Sequence, residues 1–174
     1  MTPPLSAIPT LTTERLVLRA MTPRDWPDYC AMMGSTRAAF MGGPFDVPAA
    51  WGMFCHDMAG WVLFGVGALM LEQDAATIGQ VGISHGSLFP EPELGWYLYA
   101  GYEGFGYATE AAHALRTWSY QTQKVTNLVS YTDANNRASH AVAERLGAVR
   151  DPKAIVQGAG DIVYRHPARE ARPC

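Results

Sequence analysis

Two glycines, Gly104 and Gly106, precede a run of residues that has the apolar spacing of a helix. The first N–H groups of a helix have no internal partner and carry the positive end of its dipole. Because glycine lacks a Cβ, an anion can come close to these N–H groups. The stretch "YEGFGYATEA", residues 102–111, therefore predicts either a diphosphate-binding turn or an ordinary tight turn between a strand and a helix.

Two common phosphate-binding motifs do not fit this turn. A P-loop requires Lys and then Ser or Thr after its second glycine, and the sequence has Tyr107 and Ala108 there. A dinucleotide-binding fingerprint requires an acidic residue about 20 positions further on, which "GFGYAT" lacks. The turn alone thus leaves its function open.

The elements around the turn follow from apolar periodicity and from turn and capping residues. Together they predict an α+β (mixed α/β) fold, in which a mixed sheet carries helices on both faces. Strands are predicted at 14–20, 61–71, 77–84, 93–100, 125–131 and 161–167. Helices are predicted at 23–33, 48–58, 107–121 and 136–146. The last helix has Asn135 or Asn136 as its N-cap and ends at Gly147.

The same periodicity predicts which side chains are buried. In the last helix Ala138, Val142 and Leu146 are expected to point inward and His140 outward. In the strand at 93–100, residues 96 and 98 should face the opposite side of the sheet from residues 97 and 99.

Composition limits the class of protein. The 174 residues fit one domain, 1–174, and a net charge of −3 with no basic stripe argues against nucleic-acid binding. The longest apolar run has 12 residues, short of the ~20 that span a membrane. No signal peptide is visible, and the three cysteines, Cys30, Cys55 and Cys174, form no CxxC, so a reduced cytoplasmic protein is expected. The histidines lack metal-ligand spacing, so no metal is expected.

Two longer segments, "ELGWYLYAGYEGFGYATEA" and "DANNRASHAVAERLGA", resemble the GNAT family of acetyl-CoA-dependent N-acetyltransferases. Within the family, "ERLVLR" and the helix ending "ERLG" are similar to the branch of ribosomal-protein and small-amine acetyltransferases. The resemblance covers residues 13–167. It implies the GNAT fold, with a mostly antiparallel central sheet, acetyl-CoA as co-substrate, an amine acceptor and, as in many relatives, a homodimer.

The resemblance also implies how the coenzyme is bound. Glu103 stands where the family has Arg or Gln, so its carboxylate must point away from the phosphates to avoid repulsion. Asn136 contacts the coenzyme, and the N–H of Leu98 faces the thioester carbonyl, where it would stabilise an oxyanion. The diphosphate is held by the main-chain N–H groups of Gly104, Phe105, Gly106, Tyr107, Ala108 and Thr109.

Amine attack on a thioester benefits from a general base and from an acid for the leaving thiolate. Glu93 is the first candidate base and Asp133 the second, although Glu93 could equally be a solvated charge at a strand end. Many relatives use a tyrosine as the acid where this chain has Ala143. Ser139 is the alternative acid, unless its hydroxyl only bonds to the backbone. Further hydroxyl candidates are Tyr97, Tyr99, Tyr102 and Tyr131.

The acceptor is read by variable loops, which the coenzyme motif does not specify. Phe40, Phe45 and Trp51 could line its pocket or could pack in the core. The acceptor could be a protein N-terminus, an amino acid, a polyamine or another small amine. The alternative function is a non-catalytic acyl-CoA-binding module, which the alanine at position 143 would favour.

Overall fold

A computed structural model describes residues 8–122 and 125–167. Cys174 lies outside the described residues. Two short 3₁₀ helices lie at Pro23–Asp25 and Thr36–Met41. The strands are β1 (Leu11–Thr12), β2 (Val17–Ala20), β3 (Ala68–Gln73), β4 (Ala76–Ser84), β5 (Glu93–Leu98), β6 (Val129–Asp133), β7 (Val149–Arg150) and β8 (Asp161–Arg165), and the helices are α1 (Trp26–Met33), α2 (Val47–Leu63), α3 (Tyr107–Gln121) and α4 (Arg137–Arg145).

All eight strands form one sheet in the order β1-β2-β3-β4-β5-β6-β8-β7. Every neighbouring pair is antiparallel except β5 and β6, which are parallel. The prediction of a mixed, mostly antiparallel sheet is confirmed. The parallel pair requires a crossover connection, and α3 provides it.

Helices cover both faces of the sheet, as the sequence predicts. On one face, α3 packs against Leu69, Leu71 and Leu94 of the central strands. On the other face, α1 and α2 pack against Ala68 and Met70. The alternation of β5 is also as predicted, since its residues 96 and 98 join the α3 side and residues 97 and 99 join the α1–α2 side.

The strand predicted at 61–71 is wrong in its first half. The helix α2 begins after its N-cap Asp46 and continues through Leu63, and the strand starts only at Ala68. A continuous apolar run cannot by itself distinguish a buried helix end from a buried strand. Gly60 allows the chain to turn back closely here, because a Cβ on it would lie 2.6 Å from the Val66 carbonyl oxygen.

The predicted orientation of α4 is confirmed at Val142 and Leu146 and wrong at His140 and Ala138. His140 is buried rather than outward, and its ring lies within hydrogen-bonding distance of the Tyr164 hydroxyl, 3.0 Å away. Ala138 is exposed, whereas Ala143 and Leu146 are buried. The apolar face that sequence periodicity assigns to the core thus lies partly along a surface cleft.

Other differences concern the ends of elements. β6 begins at Val129 rather than at residue 125, and β1, β7 and the 3₁₀ helix at Thr36–Met41 were not predicted. In α4 the N-cap is Asn136, whose side-chain oxygen accepts a hydrogen bond from the Ser139 N–H at 3.1 Å. Among the described helices, none is long and apolar enough to cross a membrane.

Candidate active site

The parallel strands β5 and β6 separate immediately after they meet. Their one paired position joins Glu93 to Val129, and past it the two strands diverge. Two cavities open where they part, one toward the glycine turn and one toward α2. The divergence therefore exposes main chain of β5 between the two cavities.

A chain of hydrogen bonds joins the two strands near this point. Ser130 Oγ donates to the Leu94 carbonyl oxygen at 2.5 Å, and His166 Nε2 lies 2.9 Å from the same hydroxyl. Arg116 donates to His166 Nδ1 at 3.2 Å, so the imidazole proton lies on Nε2 and points at Ser130. Burial, together with the Arg116 charge, lowers the pKa of His166 to about 3. The neutral ring thus holds β5 and β6 in place at neutral pH.

The glycine turn presents a row of unpaired main-chain N–H groups. Gly104 and Gly106 both have φ of +84°, which glycine adopts without strain. Gly106 is the N-cap of α3 and supplies no side chain to cap the helix. Within the described residues, none of the N–H groups from 104 to 109 has a hydrogen-bond acceptor, and the first helical bond runs from Glu110 N to Gly106 O at 3.1 Å.

A cleft of about 1160 Å³ lies over this turn. Thr109 lines it, and the Thr109 hydroxyl is buried without a partner in the described chain. A Cβ at Gly104 would meet no protein atom within 4 Å, so it would project into open space. A diphosphate fits these observations, because it accepts hydrogen bonds from unpaired donors and needs an unobstructed approach.

Glu103, which departs from the family motif, accepts no hydrogen bond from these N–H groups. One carboxylate oxygen accepts the Gly101 N–H at 2.8 Å, and the other pairs with Arg37. Burial works to raise the pKa of Glu103, but the hydrogen bonds outweigh it and hold this pKa below its usual range. Both carboxylate oxygens are therefore bonded to other groups, although Glu103 itself lines the cleft.

The N–H of Leu98 points toward the gap between β5 and β6. Leu98 lies opposite Gly79 of β4, and the next residue, Tyr99, donates its N–H to the Ile78 carbonyl oxygen at 2.8 Å. Antiparallel pairs alternate between hydrogen-bonded and non-hydrogen-bonded. Leu98 is thus in a non-hydrogen-bonded pair, and its N–H faces away from β4.

The second cavity, of about 840 Å³, is negatively charged. Among the described residues that line it there is no lysine or arginine, whereas four carboxylates contribute to its wall: Asp57, Glu93, Asp133 and Asp161. Asp57 accepts hydrogen bonds from the Tyr29 hydroxyl and from Gln80 Nε2, both at 3.0 Å. Burial raises the pKa of Asp57 to about 6, against the effect of these bonds. The cavity suits a cationic ligand.

Glu93 lies at the start of β5, where it lines the acidic cavity. Burial raises the pKa of its carboxyl group to about 7, and the nearby Asp161 carboxylate adds to the rise. A hydrogen bond from the Tyr131 backbone acts in the opposite direction. A carboxyl group with a pKa near neutrality can take up and release a proton at physiological pH.

The cleft and the acidic cavity share one wall. Ser139 lies in that wall, and its hydroxyl makes no hydrogen bond within the described part of the chain. The hydroxyl is therefore available to a ligand rather than bonded to the backbone. Of the residues that the structure describes, six line both cavities: Phe40, Met41, Trp96, Tyr97, Asn136 and Ser139.

The tyrosines considered as alternative acids differ in whether they line the two cavities. Tyr97 lines both cavities, and its hydroxyl is buried without a partner in the described residues. Tyr131 lines the acidic cavity but already accepts the Glu91 N–H at 3.2 Å. Neither Tyr99 nor Tyr102 lines either cavity, and Ala143 is fully buried beside Tyr164.

The three aromatic residues considered for the acceptor pocket also differ in whether they line the cavities. Phe40 lines both cavities and is 52% exposed. Phe45 packs against the core beneath α1, and Trp51 packs against Trp26 and Phe54. Trp51 and Phe45 line neither cavity.

Sequence reasoning missed Tyr29, Asp57 and Gln80 in the acidic cavity and Arg37 in the cleft. One signal could have identified Asp57, since it is the only acidic residue between Asp46 and Glu72. A lone carboxylate in an apolar helix is rarely buried without a function or a partner. Gln80 and Tyr29 carried no comparable signal.

A parallel strand pair that splays beside a glycine turn is typical of acyl-CoA-dependent acetyltransferases. The family model of the acetyltransferase (GNAT) domain matches residues 15–149, and the chain belongs to the GNAT family. It is thus an acetyl-CoA-dependent N-acetyltransferase. Within the described residues, no group of His, Cys, Asp and Glu is placed to hold a metal ion.

Solved structures agree with this assignment. An acetyltransferase from Agrobacterium tumefaciens is 53% identical, with a TM-score of 0.90 over 92% of this chain and 95% of that one. Two further structures share the fold at lower identity. The ribosomal L7/L12 α-N-protein acetyltransferase in complex with coenzyme A is 14% identical (TM-score 0.74, 92% and 98% covered), and the ribosomal-protein-S5-alanine acetyltransferase from Vibrio fischeri is 17% identical (TM-score 0.68, 95% and 100% covered).

Proposed function

We propose that the protein transfers the acetyl group of acetyl-CoA to a primary amine by direct attack, with both substrates bound together. The shared wall between the cleft and the acidic cavity carries this proposal. A thioester at that wall would face an amine that enters from the acidic cavity. No cysteine lines either cavity in the described residues, which favours direct attack over an acyl-cysteine intermediate.

In the proposed reaction, Glu93 accepts a proton from the acceptor ammonium group and so frees the amine lone pair. The amine nitrogen attacks the thioester carbon, and the N–H of Leu98 donates a hydrogen bond to the developing oxyanion. When the carbon–sulfur bond breaks, Ser139 donates a proton to the leaving thiolate and takes up the excess proton of the former amine nitrogen, so that the serine returns to its hydroxyl form. The products are an N-acetylated amine and free coenzyme A.

The main-chain N–H groups of residues 104–109 would hold the coenzyme diphosphate, and Asn136 would contact the coenzyme across the cleft. The unpartnered Thr109 hydroxyl supports this assignment. The acetyl group is supplied by the bound coenzyme, and no metal is required.

The negative charge of the acidic cavity limits which amines we propose as acceptors. Four carboxylates and no lysine or arginine in the described lining would attract an amine with a second positive charge. They would repel an amine whose neighbouring group is a carboxylate. We therefore favour polyamines and the N-termini of basic peptides over free amino acids.

The test is an acceptor screen with acetyl-CoA, followed by release of free thiol and by mass spectrometry of the amine product. The panel pairs amines with and without a neighbouring carboxylate, for example cadaverine and lysine. We expect turnover with the diamine and little with the amino acid. Tight coenzyme binding without amine-dependent thiol release would instead identify a non-catalytic acyl-CoA-binding module.

A Ser139→Ala variant tests the acid role. We expect kcat to fall about tenfold or more, because general acid–base catalysis contributes ~10²–10⁴-fold and a thiolate can also leave unassisted. The KM values should change little. A variant that retains full kcat would contradict the role of Ser139.

Two wider assignments accompany the proposal. The free thiols Cys30 and Cys55 fit a reducing compartment, and we place the enzyme in the cytoplasm. A homodimer stays a prediction, which sedimentation velocity of the purified protein can test.

A further inference from the structure

Arg37 lies beside the glycine turn, although it is 66 residues away in the sequence from Glu103. It belongs to the 3₁₀ helix Thr36–Met41, whose N-cap Ser35 accepts the Arg37 N–H at 3.2 Å. Its Nη2 pairs with Glu103 and donates to the Leu98 carbonyl oxygen at 3.1 Å. The guanidinium group is therefore fixed between the end of β5 and the turn.

Half of this guanidinium group remains available for a ligand. The Nε and Nη1 atoms of Arg37 have no hydrogen-bond acceptor among the described residues, and the side chain lines the coenzyme cleft. A guanidinium group presents its donors as a planar fork that matches two phosphate oxygens. The arrangement thus leaves donors free beside the row of unpaired N–H groups.

Arg15 also contacts the turn, but from outside the cleft. It donates to the Phe105 carbonyl oxygen at 2.9 Å and forms an ion pair with Glu110. Its guanidinium group is not part of the cleft lining, where the described arginines are Arg37 and Arg145. Of these two, Arg37 is the one that pairs with a residue of the turn.

The negative charge of Glu103 is thus balanced by the positive charge of Arg37, which lies on another element. A doubly charged diphosphate bound only by neutral N–H groups would lie next to the Glu103 carboxylate, which repels it. Arg37 neutralises that carboxylate and still has donors to offer. The family motif has one cationic or amide side chain at position 103. In this chain the Arg37–Glu103 pair takes its place.

We propose that Arg37 binds the diphosphate of the coenzyme and that Glu103 is the positioning residue that holds it there. This inference rests on the proposed function for the identity of the ligand. It adds a binding residue from outside the coenzyme motif. It also explains how a carboxylate is tolerated in the diphosphate turn.

The test compares Arg37→Ala with Arg24→Ala, which removes an exposed arginine that lines neither cavity. Calorimetry gives the Kd for coenzyme A and 3′-dephospho-coenzyme A, and kinetics give the KM for S-acetylpantetheine, which has no diphosphate. We expect Arg37→Ala to weaken binding of both nucleotides about tenfold to hundredfold and to leave the KM for S-acetylpantetheine within about twofold. Arg24→Ala should match the wild type throughout.

Three results would overturn the inference. Unchanged coenzyme binding by Arg37→Ala would remove any role for this residue. An equal loss with S-acetylpantetheine would show that Arg37 only supports the fold of the cleft, and a loss with coenzyme A but not with 3′-dephospho-coenzyme A would assign it to the 3′-phosphate. The two calorimetric Kd values do not depend on turnover, so failure of the proposed acetyl transfer would be recognised separately.

Position 103 offers a rescue experiment. Glu103→Ala should weaken coenzyme binding a few-fold, because Arg37 loses its ionic partner but keeps the Leu98 carbonyl, and alanine supplies neither the amide nor the cation of the family motif. In the Arg37→Ala background, Glu103→Arg should recover most of the lost affinity, since the turn then carries its own cation. Failure of that double variant to bind more tightly than Arg37→Ala would contradict the proposed exchange of charges.

Discussion

The coenzyme cleft and the acidic acceptor cavity are built in different ways. The cleft presents main-chain N–H groups from one continuous stretch, residues 104–109. The acidic cavity gathers side chains from α1, α2, β4 and β5, among them Tyr29, Asp57, Gln80 and Glu93. A backbone site tolerates sequence change wherever glycine is kept, whereas a side-chain site changes specificity with each substitution. Under the proposed function, backbone conformation therefore selects the acetyl donor and side-chain chemistry selects the acceptor.

The largest expected effect lies on the acceptor side. Glu93→Gln removes the proposed base, and we expect kcat/KM to fall about a hundredfold. In the wild type, kcat/KM should rise with pH through about 7, because Glu93 accepts protons only when ionised. The variant should lose this inflection while its Kd for coenzyme A stays unchanged.

Asp133→Asn is the matched control for that experiment, since Asp133 lines the same cavity but already accepts the Asn135 N–H. It should keep the inflection near pH 7. If Asp133→Asn loses the inflection and Glu93→Gln keeps it, the roles of the two carboxylates are exchanged.

The same substitution, Gly→Ala, in each of the two cavities tests whether the cleft and the acidic cavity act independently. Gly106→Ala places a Cβ on a residue with φ of +84°, which costs about 1–2 kcal/mol. We expect the KM for acetyl-CoA to rise about tenfold while the acceptor KM stays the same. Gly95→Ala, whose new Cβ would meet no atom within 4 Å, lines the acidic cavity and should change only the acceptor KM. Equal effects of both variants on both KM values would show that the cavities are not independent.

Asp57→Asn tests the charge of the acceptor cavity. We expect the KM for a cationic amine to rise a few-fold to tenfold, because a negative charge is lost near the bound cation. The asparagine oxygen can still accept from Tyr29 and Gln80. An unchanged KM for diamines would remove Asp57 from acceptor binding.

The same variant should alter stability, with a sign that depends on pH. Burial raises the pKa of Asp57 to about 6, so ionised Asp57 destabilises the folded protein above that pH and has no such effect below the unfolded pKa. Asp57→Asn should therefore increase the free energy of unfolding by about 1–3 kcal/mol at pH 8. The gain should disappear near pH 4, which urea denaturation at both pH values can measure.

The coenzyme cleft can be predicted from the sequence more completely than the acidic cavity, because its binding groups are contiguous in the chain. Residues 104–109 are contiguous, so the spacing of Gly104 and Gly106 is visible without any structure. Tyr29, Asp57 and Gln80 are distant in sequence, and only the folded sheet and helices bring them together.

The error in α4 has a related cause. Periodicity identifies an apolar face but not what covers it. Ala138 and Val142 line the coenzyme cleft, so part of the face that was assigned to the core is instead available to the pantetheine arm. The order of the elements along the chain and the helices on both faces were predictable, because strong alternation and clear caps define most of the elements.

The divergence of β5 from β6 has a consequence for folding in the cell. Beyond Glu93, the edge of β5 that faces this gap has no strand paired with it in the described chain. Such an edge invites pairing with another polypeptide. Acetyl-CoA lying along it would satisfy these groups, so a bound donor should also make the folded enzyme more resistant to aggregation.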